Sequence, residues 1–194
     1  MQQLVFATNN RHKLMEVSAK IKGQLTLLTL DDIGCTDEID ETGQTFKDNA
    51  SIKSHYIWDK YQLNCFGDDS GLEIDALNGE PGIYSARYAG EHGNHKANND
   101  KVLSKLTGLS NREAQFRTII SLMWNGEEYF FEGVINGTIR HEISGTDGFG
   151  YDPIFQPDGY HITFAEMDLE QKNTISHRAI AVEKLIALLN AQAI

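Results

Sequence analysis

Two sequence patterns, one after the other, constrain the fold of this chain more than any other feature. The short apolar run Leu4–Ala7 is followed by a polar turn and then by a segment with apolar residues at helical spacing, which is the order of a parallel α/β unit. Further on, residues 116–124 alternate between apolar and polar side chains, and the dipeptides Asn125-Gly126 and Asn136-Gly137 indicate two successive hairpins. We therefore predict an α/β fold with a mixed β-sheet flanked by helices.

Length and composition predict a single globular domain over residues 1–194. The chain is 40% hydrophobic, which is enough for one well-buried core. It has 17 basic and 28 acidic residues, so its formal net charge is −11 at pH 7. Such a surface repels nucleic acids and anionic membranes, and we expect neither as a partner. Because it also repels free nucleotides, a nucleotide site would need a local group of cations and a divalent metal.

The cysteines and the N-terminal segment predict where the protein works. Cys35 and Cys65 match no zinc-binding pattern and form no disulfide framework. The first residues lack the basic flank of a signal peptide, and no apolar run has membrane-spanning length. We therefore expect a cytoplasmic protein.

The segment Gly67–Gly71 gives the strongest indication of chemistry. Its adjacent carboxylates, Asp68 and Asp69, lead into Leu72–Ala76, which alternates like a β-strand. Carboxylates at the edge of a strand, with glycine clearing space around them, suit a hydrated Mg²⁺ and an attacking water. Side chains alternate along an extended chain, so we expect the two carboxylates to point opposite ways and one to enter the site. Taken alone, the segment is more typical of an acidic surface turn; three segments elsewhere in the chain that are suited to phosphate favour the metal site instead.

Two further segments are suited to phosphate. Thr8, Asn10 and Lys13 follow the first strand and open a helix, a usual setting for an anion, although ordinary helix capping by Thr8 or Asn9 explains the same residues. A capping box at Thr45 opens a second helix that carries Lys53. That lysine is interpreted either as a solvated side chain at the edge of a buried stripe or as a phosphate contact.

The C-terminal part of the chain combines a glycine-rich loop with a basic helix start. In the loop, Phe149 is placed to stack on a base, whereas Tyr151 is more typical of a core residue. The last helix is predicted to begin at Ser176-His177-Arg178, where cations oppose the helix dipole. A bound anion would explain them, and Lys172 adds to the same positive group.

Several motifs occur together in one order. The chain thereby resembles the inosine/xanthosine triphosphate pyrophosphatase (Ham1-like) family, whose enzymes remove non-standard purine nucleotides. The resemblance runs nearly end to end. Its motifs are Thr8-x-Asn10-x-x-Lys13, Glu41-Thr42-Gly43 with Asn49-Ala50 and Lys53, Asp68–Leu72, Pro81–Tyr88, Phe149–Phe155 and Ser176-His177-Arg178.

This resemblance implies an elongated mixed sheet in two lobes around a central substrate cleft, a homodimer, and Mg²⁺-dependent hydrolysis of a nucleoside triphosphate to the monophosphate and pyrophosphate. It implies Asp69 as the catalytic carboxylate and a metal ligand, Glu41 as a second metal-site acid, and Ser70 as a substrate contact. For the triphosphate it implies Thr8, Asn9, Asn10, Arg11, His12, Lys13 and Lys53. For the base it implies Phe149, Gly150, Tyr151, Asp152, Lys172, His177 and Arg178.

Two other functions compete with this one. Septum-inhibitor-like nucleotide pyrophosphatases have a similar fold and prefer pyrimidine or modified nucleotides, but the Phe149 loop and the basic helix start argue against them. A nucleotide-binding module without activity would leave Asp68, Asp69 and Glu41 without a purpose.

Overall fold

The computed structural model describes residues 2–192. Strands and helices alternate in its first part, and long strands dominate its middle. In chain order they are β1 Gln3–Phe6, α1 Arg11–Ile21, β2 Thr26–Leu28, α2 Phe46–Tyr61, β3 Cys65–Ile74, α3 His95–Lys105, β4 Glu113–Trp124, β5 Glu127–Ile139, β6 Phe155–Pro157, α4 Leu169–Ile175 and α5 His177–Gln192.

A six-stranded mixed sheet organises the chain, in the order β2-β1-β3-β4-β5-β6. Strand β1 is parallel to both β2 and β3, whereas β5 is antiparallel to β6. Asn125 and Gly126 connect β4 to β5 with φ values of 52° and 89°, the backbone of a tight hairpin turn. The predicted α/β fold with a mixed sheet flanked by helices is confirmed.

The second predicted hairpin, at Asn136-Gly137, is wrong, because β5 continues without interruption to Ile139. Gly137 lies opposite Pro157 in the β5–β6 ladder, and a Cβ atom there would collide with the carbonyl oxygen of Gln156. This glycine therefore permits close approach of a neighbouring strand and makes no turn.

One boundary also differs from the sequence prediction. The acidic segment 67–71 lies inside the ten-residue strand β3 and not at a strand edge. The carboxylates of Asp68 and Asp69 are consequently carried by buried sheet, which holds them more rigidly than a turn would.

By its contacts the chain forms two compact units, and β3, β4 and β5 each contribute to both. Within the described residues, the first unit comprises 2–69, 118–133 and 178–192, and the second comprises 70–117 and 134–177. Apolar clusters around Phe6 and Phe66 and around Ile57 and Met123 fill the first unit. A cluster around Phe116 fills the second. The predicted single domain 1–194 includes Met1, Ala193 and Ile194, which lie outside the described residues.

Among the residues described, no helix combines the length and the apolar character that crossing a membrane requires.

Both cysteines are free and buried. Burial raises the pKa of the Cys65 thiol to about 12, so that the thiol remains protonated and unreactive at neutral pH.

Candidate active site

The loop after β1 and the first turn of α1 present a set of polar side chains. Asn10 caps the helix, because its Oδ1 accepts from the backbone N–H of His12 at 3.0 Å and of Lys13 at 3.1 Å. Thr8 supports the cap, with its Oγ1 accepting from the Asn10 N–H at 3.2 Å. The expected capping by Thr8 or Asn9 is therefore wrong by one or two positions. The cap fixes the start of the helix and thereby the position of Lys13.

Asp68 is the counter-ion of two cations that come from different helices. Its Oδ1 lies 2.9 Å from Lys13 Nζ and its Oδ2 lies 3.2 Å from Arg178 Nε, while Arg178 Nη1 also donates to Glu16. The carboxylate is 1% exposed. Burial alone would raise the pKa of Asp68, but Lys13 and Arg178 outweigh burial and hold the pKa well below its ordinary value.

Asp69 has a different environment from its neighbour. Its Oδ2 accepts from Asn49 Nδ2 on α2 at 2.9 Å, and the residue is 6% exposed. Burial raises the pKa of Asp69, in the opposite direction to that of Asp68. As strand alternation predicted, the adjacent carboxylates have different partners, and the difference gives them distinct electrostatic character.

Lys53 connects α2 to the acidic segment of β3. Its Nζ lies 2.7 Å from Glu41 Oε1 and also donates to the backbone carbonyl of Asp68. The lysine is 6% exposed, so the interpretation as a solvated side chain is wrong. Burial alone would lower the pKa of Lys53, but Glu41, Asp68 and Asp69 outweigh burial and raise it. The ammonium group is therefore held charged next to both aspartates.

Gly67 explains how α2 approaches β3 closely enough for these contacts. A Cβ atom at this position would lie 2.6 Å from the carbonyl oxygen of Ala50 and 2.7 Å from Lys53 Cβ, both in α2. The glycine therefore makes room for the helix that carries Asn49 and Lys53, and does not clear space around a metal as expected.

We expect Gly67→Ala to lower kcat by up to about 100-fold, because even 1 Å of displacement of α2 misplaces groups at the site. The measurement is kcat of the hydrolysis that the sequence motifs predict, together with the thermal unfolding midpoint. Gly23→Ala is the matched control, since Gly23 has a φ of 81° and nothing within 4 Å of an added Cβ. The control should lose stability but keep kcat; equal kcat values for the two variants would contradict this role of Gly67.

The first unit thus holds a cationic cluster, defined as Lys13, Lys53 and Arg178 with their acidic partners Glu16, Glu41, Asp68 and Asp69. Of the predicted triphosphate contacts, Thr8 and Asn10 are half-buried, whereas Asn9, Arg11 and His12 are exposed. The sequence prediction missed Glu16 and the pairing of Asp68, and it named Asn49 in a motif without giving it a role. A role for Asn49 was detectable, because the residue precedes Lys53 by one helical turn. The two partners of Arg178, in contrast, lie 110 and 162 positions away along the chain.

The second unit holds an aromatic cluster, defined as Phe149, Gly150, Tyr151, Asp152, Lys172 and His177. Asp152 Oδ2 accepts from the backbone N–H of Phe149 at 2.8 Å and lies 2.6 Å from Lys172 Nζ. The same ammonium group is 5.1 Å from the centroid of the Phe149 ring. Asp152 and Lys172 are both buried, so the ion pair fixes the loop from inside.

Tyr151 and His177 of the aromatic cluster are also buried, whereas Phe149 and Gly150 are half-buried. The His177 ring stacks on Phe116 with centroids 4.7 Å apart and planes 8° apart. Tyr151 packs in the core, as expected for this residue, and its hydroxyl donates to the carbonyl of Ser85 at 2.8 Å.

Ser70, the predicted substrate contact, lies half-buried in β3.

Arg178 explains the basic start of α5 without a ligand. The helix begins at His177, as predicted, and Arg178 follows it. Its guanidinium is compensated by Glu16 and Asp68, which raise the pKa of Arg178 against the effect of burial. The cation at a helix N-terminus therefore has protein carboxylates as partners, and its role as a base contact stays a prediction.

The chain is similar to known proteins over nearly its whole length. A profile of the Ham1 family matches residues 4–188. The chain belongs to the Ham1 family. It is 50% identical to the dITP/XTP pyrophosphatase of Flavobacterium johnsoniae over 189 residues, which cover 97% of this chain and 98% of that protein.

Solved structures of Ham1 proteins have the same fold. The Staphylococcus aureus Ham1 protein superposes with a TM-score of 0.89 at 40% identity, covering 98% of this chain and all of that one. A HAM1 protein from Coxiella burnetii superposes with a TM-score of 0.90 at 38% identity over the same shares. The family resemblance inferred from the sequence motifs is thus confirmed over nearly the whole chain.

Proposed function

We propose that this Ham1-family protein hydrolyses the purine nucleoside triphosphates ITP, dITP and XTP to the monophosphate and pyrophosphate, with Mg²⁺. The observation that carries the proposal is the cationic cluster. In a chain of net charge −11, Lys53 and Arg178 are buried and Lys13 is half-buried around the Asp68-Asp69 pair. The name dITP/XTP pyrophosphatase, carried by a relative at 50% identity, supports the same substrates.

The cationic cluster brings three cations together but pairs them with four carboxylates, a formal charge of 3 − 4 = −1, so a triphosphate there would need a divalent metal as well as Lys13 and Lys53. Lys13 and Lys53 would contact the phosphate oxygens, together with the polar groups of the Thr8–Lys13 loop. Both ammonium groups are held by carboxylates, Asp68 and Glu41, at 2.9 and 2.7 Å. Their positions are therefore set before the substrate arrives, which reduces the entropy lost on binding.

The acids of the cluster fit a hard cation such as Mg²⁺. Asp69 and Glu41 are near enough for the charge of Glu41 to raise the pKa of Asp69, and both offer oxygen ligands. The described residues contain no group of three or more His, Cys, Asp or Glu side chains placed to hold a metal. Mg²⁺ commonly binds through one or two carboxylates plus substrate phosphates, and when bound here it would offset charge on the triphosphate.

The reaction we propose is attack by water on the α-phosphorus. Asp69 orients the water and takes its proton; the new bond joins the water oxygen to phosphorus as the bond to the bridging oxygen breaks, and pyrophosphate leaves with the bonding pair. The raised pKa of Asp69 favours proton acceptance. A direct metal bond would oppose it, so Asp69 would act as the base if Glu41 holds the metal; if Asp69 itself holds the metal, the bound ion would supply the acidity that the water needs.

Base selection is proposed to involve the aromatic cluster and Arg178. Hypoxanthine and xanthine present an acceptor at position 6, where adenine presents an amino donor. Donors from His177, Arg178 or backbone N–H groups would pair with the acceptor and leave adenine with donor facing donor. A buried unpaired polar group costs about 1–3 kcal/mol, so more than one contact must contribute to strong discrimination.

We expect ITP, dITP and XTP to be hydrolysed well ahead of ATP, and only with a divalent metal. The measurement is phosphate release in the presence of an added inorganic pyrophosphatase, with and without Mg²⁺. Equal turnover of ATP would contradict the proposed selectivity. Preference for pyrimidine or modified nucleotides would favour a septum-inhibitor-like enzyme, and binding without turnover would favour a nucleotide-binding module.

We also propose a homodimer located in the cytoplasm, as the family resemblance implies. The two free, buried cysteines are compatible with a reducing compartment. Light scattering coupled to size-exclusion chromatography would test the dimer, since a mass near 21.7 kDa would mean a monomer.

A further inference from the structure

Helix α3 contributes two buried asparagines to a part of the second unit that carries no assigned function. Asn98 and Asn99 are 2% and 3% exposed. Asn98 Oδ1 accepts from the backbone N–H of Ala89 at 2.7 Å. Asn99 Nδ2 donates to the carbonyl oxygen of Gly150 at 2.9 Å. The two neighbours thus hold two different segments, and Asn99 holds the loop of the aromatic cluster.

The loop is fixed at three successive residues, each by a different partner. The N–H of Phe149 donates to Asp152, the carbonyl of Gly150 accepts from Asn99, and the hydroxyl of Tyr151 donates to Ser85. Gly150 has a φ of 65°, in the left-handed region that glycine adopts easily because it has no side chain. Its own backbone preferences therefore do little to fix the loop. The contact from Asn99 therefore restrains the Gly150–Tyr151 peptide unit, while the preceding Phe149 carbonyl accepts from the backbone N–H of Asp152 at 3.2 Å.

Helix α3 contacts the same ring from a second position. His95 lies one turn before Asn99, and residues four apart share a helix face. The His95 ring meets the Phe149 ring edge-on, with centroids 6.3 Å apart. One face of α3 thus places both the ring and the adjacent carbonyl.

Among the described residues, only the Nδ2 group of the Asn99 amide makes a hydrogen bond. Its Oδ1 is buried and has no hydrogen-bond partner in the part of the chain that the structure describes. A buried acceptor without a partner lowers stability. A residue that costs stability and yet holds part of a candidate site is more often retained for function than for folding.

We propose that Asn99 is a positioning residue for base selection. It holds the Gly150 carbonyl and thereby the orientation of Phe149, and it acts on the base through that loop. The inference rests on the proposed function, because it takes Phe149 as the base contact. A residue needed only for folding would alter stability alone. Asn99 is expected to alter the preference between nucleotides as well.

The test compares Asn99→Ala and Asn99→Asp with the wild-type protein. Asp keeps the size of the side chain but removes both N–H donors and places a carboxylate against the Gly150 carbonyl. We expect both variants to reduce the ratio of kcat/KM for ITP to that for ATP by about 10-fold, the effect of one lost hydrogen bond. Hydrogen exchange in the ligand-free protein should accelerate at residues 149–152.

Asn94→Ala is the matched control. Asn94 caps the same helix by accepting from the Ala97 N–H at 3.1 Å, so its loss weakens α3 without removing the contact to Gly150. We expect the control to lower the thermal unfolding midpoint and to leave the ITP to ATP ratio and exchange at 149–152 unchanged.

The outcomes separate this inference from the proposed function. An unchanged ITP to ATP ratio in Asn99→Asp, or an equal fall in that ratio in Asn94→Ala, would overturn the positioning role. A wild-type protein that does not prefer ITP would overturn the proposed function, and hydrogen exchange would still show whether Asn99 anchors the loop. Unchanged exchange in both Asn99 variants would overturn the anchoring itself.

Discussion

Asp69→Asn is expected to lower kcat for ITP hydrolysis by about 10²–10⁴-fold, the usual contribution of a positioned general base. The variant keeps an amide oxygen that can accept from Asn49, so the thermal unfolding midpoint should move by only a few degrees. Steady-state kinetics and thermal unfolding of the same preparation measure both effects. A variant that retains near-normal kcat would contradict the assignment of Asp69.

Asp68→Asn is expected to act mainly on stability, although the two residues are neighbours. The substitution removes the carboxylate between Lys13 and Arg178, both of which are largely buried. Breaking a buried ion pair by removing one partner costs about 3–5 kcal/mol, which corresponds to a fall of about 6–20 °C in the midpoint. Thermal unfolding at neutral pH, with no nucleotide present, measures the effect directly.

Asp31→Asn provides the control for this prediction, because Asp31 is exposed and the same change should have little effect there. An Asp68 variant whose midpoint matches that of the control would show that the ion pairs contribute nothing measurable. The adjacent aspartates thus make a paired test, one expected to lose activity and the other stability.

Sequence patterns correctly predicted the elements whose formation depends on residues close together in the chain. The strand at residues 4–7, the capping box at Thr45 and the start of α5 at His177 all depend on neighbours in the chain, and the structure confirms them. The dipeptide Asn136-Gly137 has the same local signature as a turn. Its conformation is instead decided by Gln156 on β6, which no local pattern reveals.

The candidate site likewise has a part that local motifs predicted and a part that they could not predict. Its residues could be named from motifs, but their pairing could not, because it joins positions distant in sequence. Lys13 and Asp68 are 55 positions apart, and Arg178 and Glu16 are 162 apart. The basic start of α5 was attributed to a bound anion, because no local pattern shows that Glu16 pairs with Arg178. Gly67 was likewise attributed to metal binding, since the approach of α2 could not be foreseen.

The central claim is that Lys13 and Lys53 of the cationic cluster bind the triphosphate of the substrate. A crystal structure of the Asp69→Asn variant with ITP and Mg²⁺ tests it most directly, since the variant should bind the nucleotide without consuming it. We predict phosphate oxygens within hydrogen-bonding distance of both Lys13 Nζ and Lys53 Nζ. A triphosphate bound away from these two ammonium groups would contradict the account.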